Sequence, residues 1–220
     1  MIDLEPVIRG LWPKAVNVIV NEWHCVETDE RGFRALANTQ LPARRDELRK
    51  WLHSYSVLRR LTSAQCDEVT EAVLVWTDAN SHLDLMTVEA LAAAHAELEA
   101  ACQICVPCNA DGKRRDFTSL ASKALWLRFP NRVPIYDSYA RNALQTISKM
   151  QRGFTAISNN RPEYEQFVHI WKQFYERYRE TVENLSIKPY THRARVFDVV
   201  LWHLGQPSYC LGGASPPAKS

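Results

Sequence analysis

Apolar residues return every three or four positions along most of this chain, and no other feature limits its fold as strongly. Between Ala43 and Leu61 the residues Leu48, Leu52, Tyr55, Leu58 and Leu61 follow at intervals of four, three, three and three, with Arg and Lys between them; the spacing predicts one amphipathic helix. A second long helix is expected from Pro162 to about Leu185, with Phe167, Ile170, Trp171, Phe174, Tyr175 and Tyr178 on one stripe that reads as core. Glycine is scarce, 7 in 220 residues, and strand-length alternation with turn punctuation is absent. The expectation is an all-α fold: one helical domain over residues 1–211 with about seven to eight helices, and a tail, 212–220, rich in Gly, Ala, Pro and Ser.

Capping signals place the remaining elements. Thr62 or Ser63 caps a helix through Trp76, and Thr87 sits as N-cap within the helical stretch Asp84 to Cys105. Phe117 to Phe129 is a helix stopped by Pro130, Asp137 begins another toward Met150, and Thr191 to Leu204 forms the last. The opening, Ile2 to Val20, fits either a helix with Pro13 in its first turn or an extended lead-in. Glu27 to Leu41, with Asp29, Gly32 and Asn38 before Pro42, reads as a connection, as does Pro107 to Arg115.

With 46% apolar and 24% charged residues the chain can bury a core, which separates it from disordered sequences. No run of about 18 apolar residues exists, and Asp3, Glu5 and Arg9 stand where an export signal needs a basic and then an apolar stretch. Six cysteines spread through so large a core read as reduced thiols, so a cytoplasmic protein without a membrane partner is expected. A net charge of +2 says nothing of partners, but its distribution does. Lys113, Arg114, Arg115, Lys123, Arg128 and Arg132 against Asp116 leave +5 on one 20-residue stretch.

That stretch also holds the residues with chemistry. Ser119 and Ala121 open a helix, where unpaired amides and the positive dipole end favour an anion such as a DNA phosphate. Lys123 follows one turn inside and lies off the stripe of Leu120, Ala121, Ala124, Leu125 and Leu127, so it is expected to face a cleft, partly desolvated. A desolvated lysine gives up its proton more readily and becomes a nucleophile. Asp137, fourteen residues on after Val133-Pro134-Ile135-Tyr136, is its natural partner; as a helix N-cap it is also worth about 1 kcal/mol without any chemistry.

The order small-x-small-x-Lys, helix, short loop, Val-Pro-x-x-Asp, spanning Phe117 to Leu144, resembles the catalytic segment of the helix-hairpin-helix base-excision DNA glycosylases, most of all the 8-oxoguanine type. The resemblance implies a helix-hairpin-helix core. It implies Lys123 attacking the sugar C1 to displace a modified or mismatched base, with Asp137 assisting the departure. It also implies double-stranded DNA held by Ser119, Ala121, Ser122, Lys113, Arg114, Arg115 and Arg132. A flipped base needs aromatic walls, for which Tyr136, Tyr139 and Trp126 are candidates, together with Trp171 and Trp202. The family's two hairpin glycines are replaced here by Ser119 and Ala121, and the Lys-to-Asp interval is shorter, so a non-catalytic DNA- or protein-binding module on the same fold is the alternative.

Cys102, Cys105 and Cys108 form C-x-x-C-x-x-C, similar to part of an iron-sulfur run that some members of this superfamily carry. A fourth ligand is missing locally and the run precedes the catalytic segment instead of following it, so no cofactor is expected. The seven histidines show no zinc-hydrolase spacing, and no phosphate-binding glycine loop or nucleophile elbow is present.

Overall fold

A computed structural model of the chain describes residues 3–40, 43–83, 87–130, 132–150 and 163–207, and every regular element among them is helical. The all-α expectation holds, with ten α-helices among the described residues. Asp84, Asn131, Pro162, Cys210 and the 212–220 tail lie outside them. The chain divides into two compact units: a central one of residues 24–135, and a terminal one of residues 1–23 and 136–220.

The central unit contains α2 (Cys25–Ala37), α3 (Arg44–Ser54), α4 (Ser63–Ala79), α5 (Val88–Ile104) and α6 (Thr118–Arg128). Of the stretch expected to be a connection from Glu27 to Leu41, Leu41 lies outside the described residues and the part up to Ala37 is instead helical, within α2. Its two turn-like residues have tertiary reasons to be there. Asp29 is buried and accepts hydrogen bonds from the Trp51 indole at 3.1 Å and the Tyr55 hydroxyl at 2.7 Å. Gly32 is a packing residue: a Cβ there would lie 2.8 Å from Trp51 Cδ1 and 2.9 Å from Leu127 Cδ1, so only glycine lets α2 sit this close to its neighbours.

Helix α3 presents Leu48, Trp51 and Leu52 to the core and ends at Ser54, seven residues short of the expected Leu61. Ser56 and Arg60 adopt left-handed backbone, so 55–60 is a turn that still buries Leu58. Arg44 grips Asp78 with two hydrogen bonds of 2.6 and 2.5 Å, and Arg49 pairs with Asp67 at 2.6 Å, which sets α3 antiparallel to α4. The capping expectations hold: Thr62 forms a reciprocal box with Gln65, and the Thr87 hydroxyl accepts the Ala90 amide at 3.0 Å. Leu91, Ala94, His95, Leu98 and Cys102 form the buried face of α5.

The terminal unit is α1 (Glu5–Asn17) with its π-helical turn Val18–Glu22, α7 (Ser138–Met150), α8 (Glu163–Arg177), α9 (Arg179–Asn184) and α10 (Arg193–Leu204). The opening is helical, but Pro6 holds the first turn and Pro13 lies inside the helix. The single helix expected from 162 to 185 is interrupted at Tyr178, whose hydroxyl accepts the Leu4 amide at 3.3 Å. Helix α10 is buried on all sides, from Ala194 to Leu201, and α1 and α7 pack against it. The expected stripe is core at Phe167, Ile170, Trp171, Phe174 and Tyr178, while Tyr175 is half-buried, and the Trp171 indole donates to buried Asp198 at 2.7 Å. No described helix is long and apolar enough to cross a membrane.

Candidate functional site

Helix α6 has no solvent face. Leu120, Ala121, Ser122, Lys123, Ala124, Leu125, Trp126 and Leu127 are buried in one unbroken run. The expected amphipathic helix with Lys123 facing a cleft is therefore corrected, because α2, α4 and α5 of the central unit all pack on α6. Lys123 is 7% exposed, and its Nζ donates to Ser119 Oγ at 2.6 Å, one turn back on the same helix. It is the one ionisable side chain in that run, and its hydrogen-bond acceptor Ser119 is half-buried.

The start of α6 also departs from expectation. Glu99 Oε1 accepts the Phe117 amide and the Thr118 hydroxyl, each at 3.1 Å, and Asp116 Oδ1 accepts the Thr118 amide at 2.8 Å. The Ala121 amide is spent on the Phe117 carbonyl at 2.8 Å. The chain thus supplies its own anions where a DNA phosphate was expected, and Ala121 and Ser122, fully buried, do not present side chains to a ligand. Buried His95 completes the cluster: its Nε2 donates to the Thr118 carbonyl at 2.9 Å, and its Nδ1 lies 3.9 Å from Glu99 Oε2. Burial depresses the His95 pKa to about 4 and raises that of Glu99, against the pull of the hydrogen bonds each makes.

The basic residues differ among themselves. Lys113 and Arg114 are exposed in the loop before α6, and Arg132 is exposed in the bend after it. Arg115 is engaged internally: it donates to the Arg59 carbonyl and stacks its guanidinium 5.5 Å from the Phe117 ring centre.

Asp137 belongs to the terminal unit, half-exposed at the head of α7. Its carboxylate accepts the Tyr139 amide at 2.8 Å and its carbonyl accepts the Arg141 amide at 2.8 Å, which is N-cap geometry. The aromatic candidates separate into core and surface. Trp126 lies wholly in the core, stacked parallel to Trp51 and tilted against Phe33, and Trp171 is buried, so neither can wall a base pocket. Tyr136 is packed edge-on to Phe167 and Tyr164, with its hydroxyl on Glu163 at 2.6 Å; burial and that carboxylate push its pKa up. Tyr139 is 37% exposed and meets the Trp202 ring edge-on at 6.0 Å. Trp202 in turn meets Trp23 at 5.5 Å, and Arg195 lies over Trp23 at 5.3 Å. Trp23, 36% exposed, was missed in the sequence; its setting between Glu22 and His24, too polar for a core tryptophan, was the available signal.

Cys102 is buried with its thiol pKa pushed up by burial, Cys105 donates to the Ala101 carbonyl at 3.5 Å, and Cys108 is exposed. Among the described residues no three His, Cys, Asp or Glu side chains are arranged to hold a metal ion. No protein-family model matches the chain, and comparison with curated proteins and with solved structures likewise returns no match.

Proposed function

We propose that this chain is a DNA glycosylase-like protein that binds double-stranded DNA and cleaves the N-glycosidic bond of a modified or mismatched base, with Lys123 as nucleophile and Asp137 as its electrostatic partner. The observation that carries the reading is Lys123 itself: a lysine buried within the run Leu120–Leu127, its Nζ on Ser119 Oγ at 2.6 Å. In the reaction the deprotonated amine attacks the sugar C1. The C1–N bond to the base breaks and its electron pair leaves with the base, which takes up a proton; the C1–O bond of the sugar ring then opens, its oxygen gaining a proton as the lysine nitrogen loses one, and the imine so formed is hydrolysed by water to return the lysine, or undergoes β-elimination to nick the strand. Exposed Lys113, Arg114 and Arg132 would meet phosphates, and Tyr139 with Trp202 and Trp23 would offer aromatic faces to an extruded base. A DNA substrate and free cysteines agree with a cytoplasmic location, in repair or in defence against foreign modified DNA.

Borohydride trapping on duplexes carrying oxidised, deaminated, alkylated, glucosylated or abasic nucleotides tests this. A covalent adduct on one substrate, absent in Lys123→Gln, is the expected result. Release of a base without an adduct, but requiring Asp137, points to direct hydrolysis. A second reading, a binding module without catalysis, is favoured by the α6 start that Glu99 and Asp116 already close; DNA binding with neither adduct nor release would establish it.

A further inference from the structure

Helix α4 carries two apolar faces. Cys66, Val69, Thr70, Val73, Leu74 and Thr77 look into the central unit, while Ala72, Val75 and Ala79 line the floor of an open groove of about 750 Å3 on the other side. Ala101, Ile104 and Cys105 of α5 form one wall. Val75 is 60% exposed and Ile104 79%, the two most exposed large apolar side chains among the described residues. The floor is made of small residues, which lets another backbone approach closely. Glu68, Glu71, Ala72, Val75 and Ala79 recur at helical spacing, so the face runs for three turns, about 16 Å at 1.5 Å per residue, a length that a helix of about eleven residues matches.

The charge along this groove is uneven. Asp67, Glu68 and Glu71 gather at the end where α4 begins, and Arg45 stands at the end where α4 finishes. Asp67 is answered by Arg49, whereas Glu68 and Glu71 are exposed. We propose that the α4–α5 groove is the docking site for a basic amphipathic helix of a partner protein, apolar side chains on Val75 and Ile104, Lys or Arg against Glu68 and Glu71. The positive end of the partner helix lies toward the carboxylates and its carbonyl end toward Arg45, so it runs parallel to α4. The same carboxylates repel nucleic acid and anionic lipid, which separates this surface from the one proposed for DNA.

Fluorescence anisotropy of two labelled amphipathic peptides, one of Leu and Lys and its Leu and Glu counterpart, tests the assignment on the full chain. The Leu/Lys peptide binds, and Val75→Asp with Ile104→Asp weakens it by about tenfold or more. Because both side chains are exposed, circular dichroism of that variant stays unchanged. Glu68→Lys with Glu71→Lys reverses the preference toward the Leu/Glu peptide. Failure of the Leu/Lys peptide to bind, equal binding by the Val75→Asp, Ile104→Asp variant, or an unreversed preference overturns the proposal. So does a wild-type dimer in sedimentation that the Val75 and Ile104 variant dissolves, which assigns the groove to a second copy of the chain, or vesicle binding lost in that variant, which assigns it to lipid.

Discussion

The hydroxyl of Tyr55 donates to the carboxylate of Asp29 at 2.7 Å, tying the turn after α3 to the inner face of α2. The Trp51 indole shares the same oxygen at 3.1 Å. Asp29→Ala removes the acceptor shared by the buried Trp51 indole and the half-buried Tyr55 hydroxyl and is expected to cost about 2–3 kcal/mol, whereas Asp29→Asn keeps an acceptor and costs less than half of that. Urea unfolding followed by tryptophan fluorescence reads the difference. Equal losses for the two variants would show that the hydrogen bonds are not what Asp29 contributes.

Gly32→Ala places a methyl group against Trp51 and Leu127 at under 3 Å. Although alanine is the better helix former, the expected result is a net loss of about 1–3 kcal/mol from overpacking. A gain in thermal midpoint would mean that the two side chains move aside at no cost.

His95 makes the central unit sensitive to acid. The unfolded imidazole binds a proton below about 6.5 and the folded one only near 4, so its contribution, about 3 kcal/mol, is complete above 6.5 and lost as pH falls through that window. Glu99 runs the other way: its folded pKa is raised, so its contribution is present at low pH and declines as pH rises through that pKa. His95→Gln should flatten the loss of midpoint between pH 6.5 and about 4, and Glu99→Gln should steepen it. Identical acid limbs in wild type and His95→Gln would place the sensitivity elsewhere.

Lys113 and Arg114 should behave differently from Arg115. If the first two meet phosphates, Lys113→Ala and Arg114→Ala each lower the salt dependence of DNA binding by about one unit in log–log slope, with midpoints unchanged. Arg115→Ala removes the contacts to Phe117 and the Arg59 carbonyl and should lower the midpoint instead. Unfolding and DNA titrations at several salt concentrations separate the two behaviours.

Ser119→Ala removes the acceptor that Lys123 holds at 2.6 Å. The expected cost is about 1–2 kcal/mol and, if Lys123 is the nucleophile, a slower trapping rate at unchanged DNA affinity, since Ser119 would then orient the amine without touching the sugar. Ser119→Thr, which keeps the hydroxyl, should restore most of the rate. A Thr variant as slow as the Ala variant would leave Ser119 a packing role only.

Which parts were legible in the sequence follows from the range of the forces involved. The boundaries at Thr62, Thr87, Pro130 and Asp137 were readable because caps and proline act on amides within one turn. The α8 stripe was readable because its spacing marks one buried face. Helix α2 was hidden because Asp29 and Gly32 are turn formers by local preference, and only Trp51, Tyr55 and Leu127, distant in sequence, make them helix residues. Lys123 and Asp137 stood out by type and order, and the capping role of Asp137 was legible with them, yet the burial of Lys123 was not. The sequence by itself determined that the chain is helical and where most helices start, since periodicity and capping are local. The tertiary structure alone decided that α6 is enclosed on every side and that its first amides meet Glu99 and Asp116 rather than a ligand, because burial and charge depend on what the rest of the chain brings against a helix.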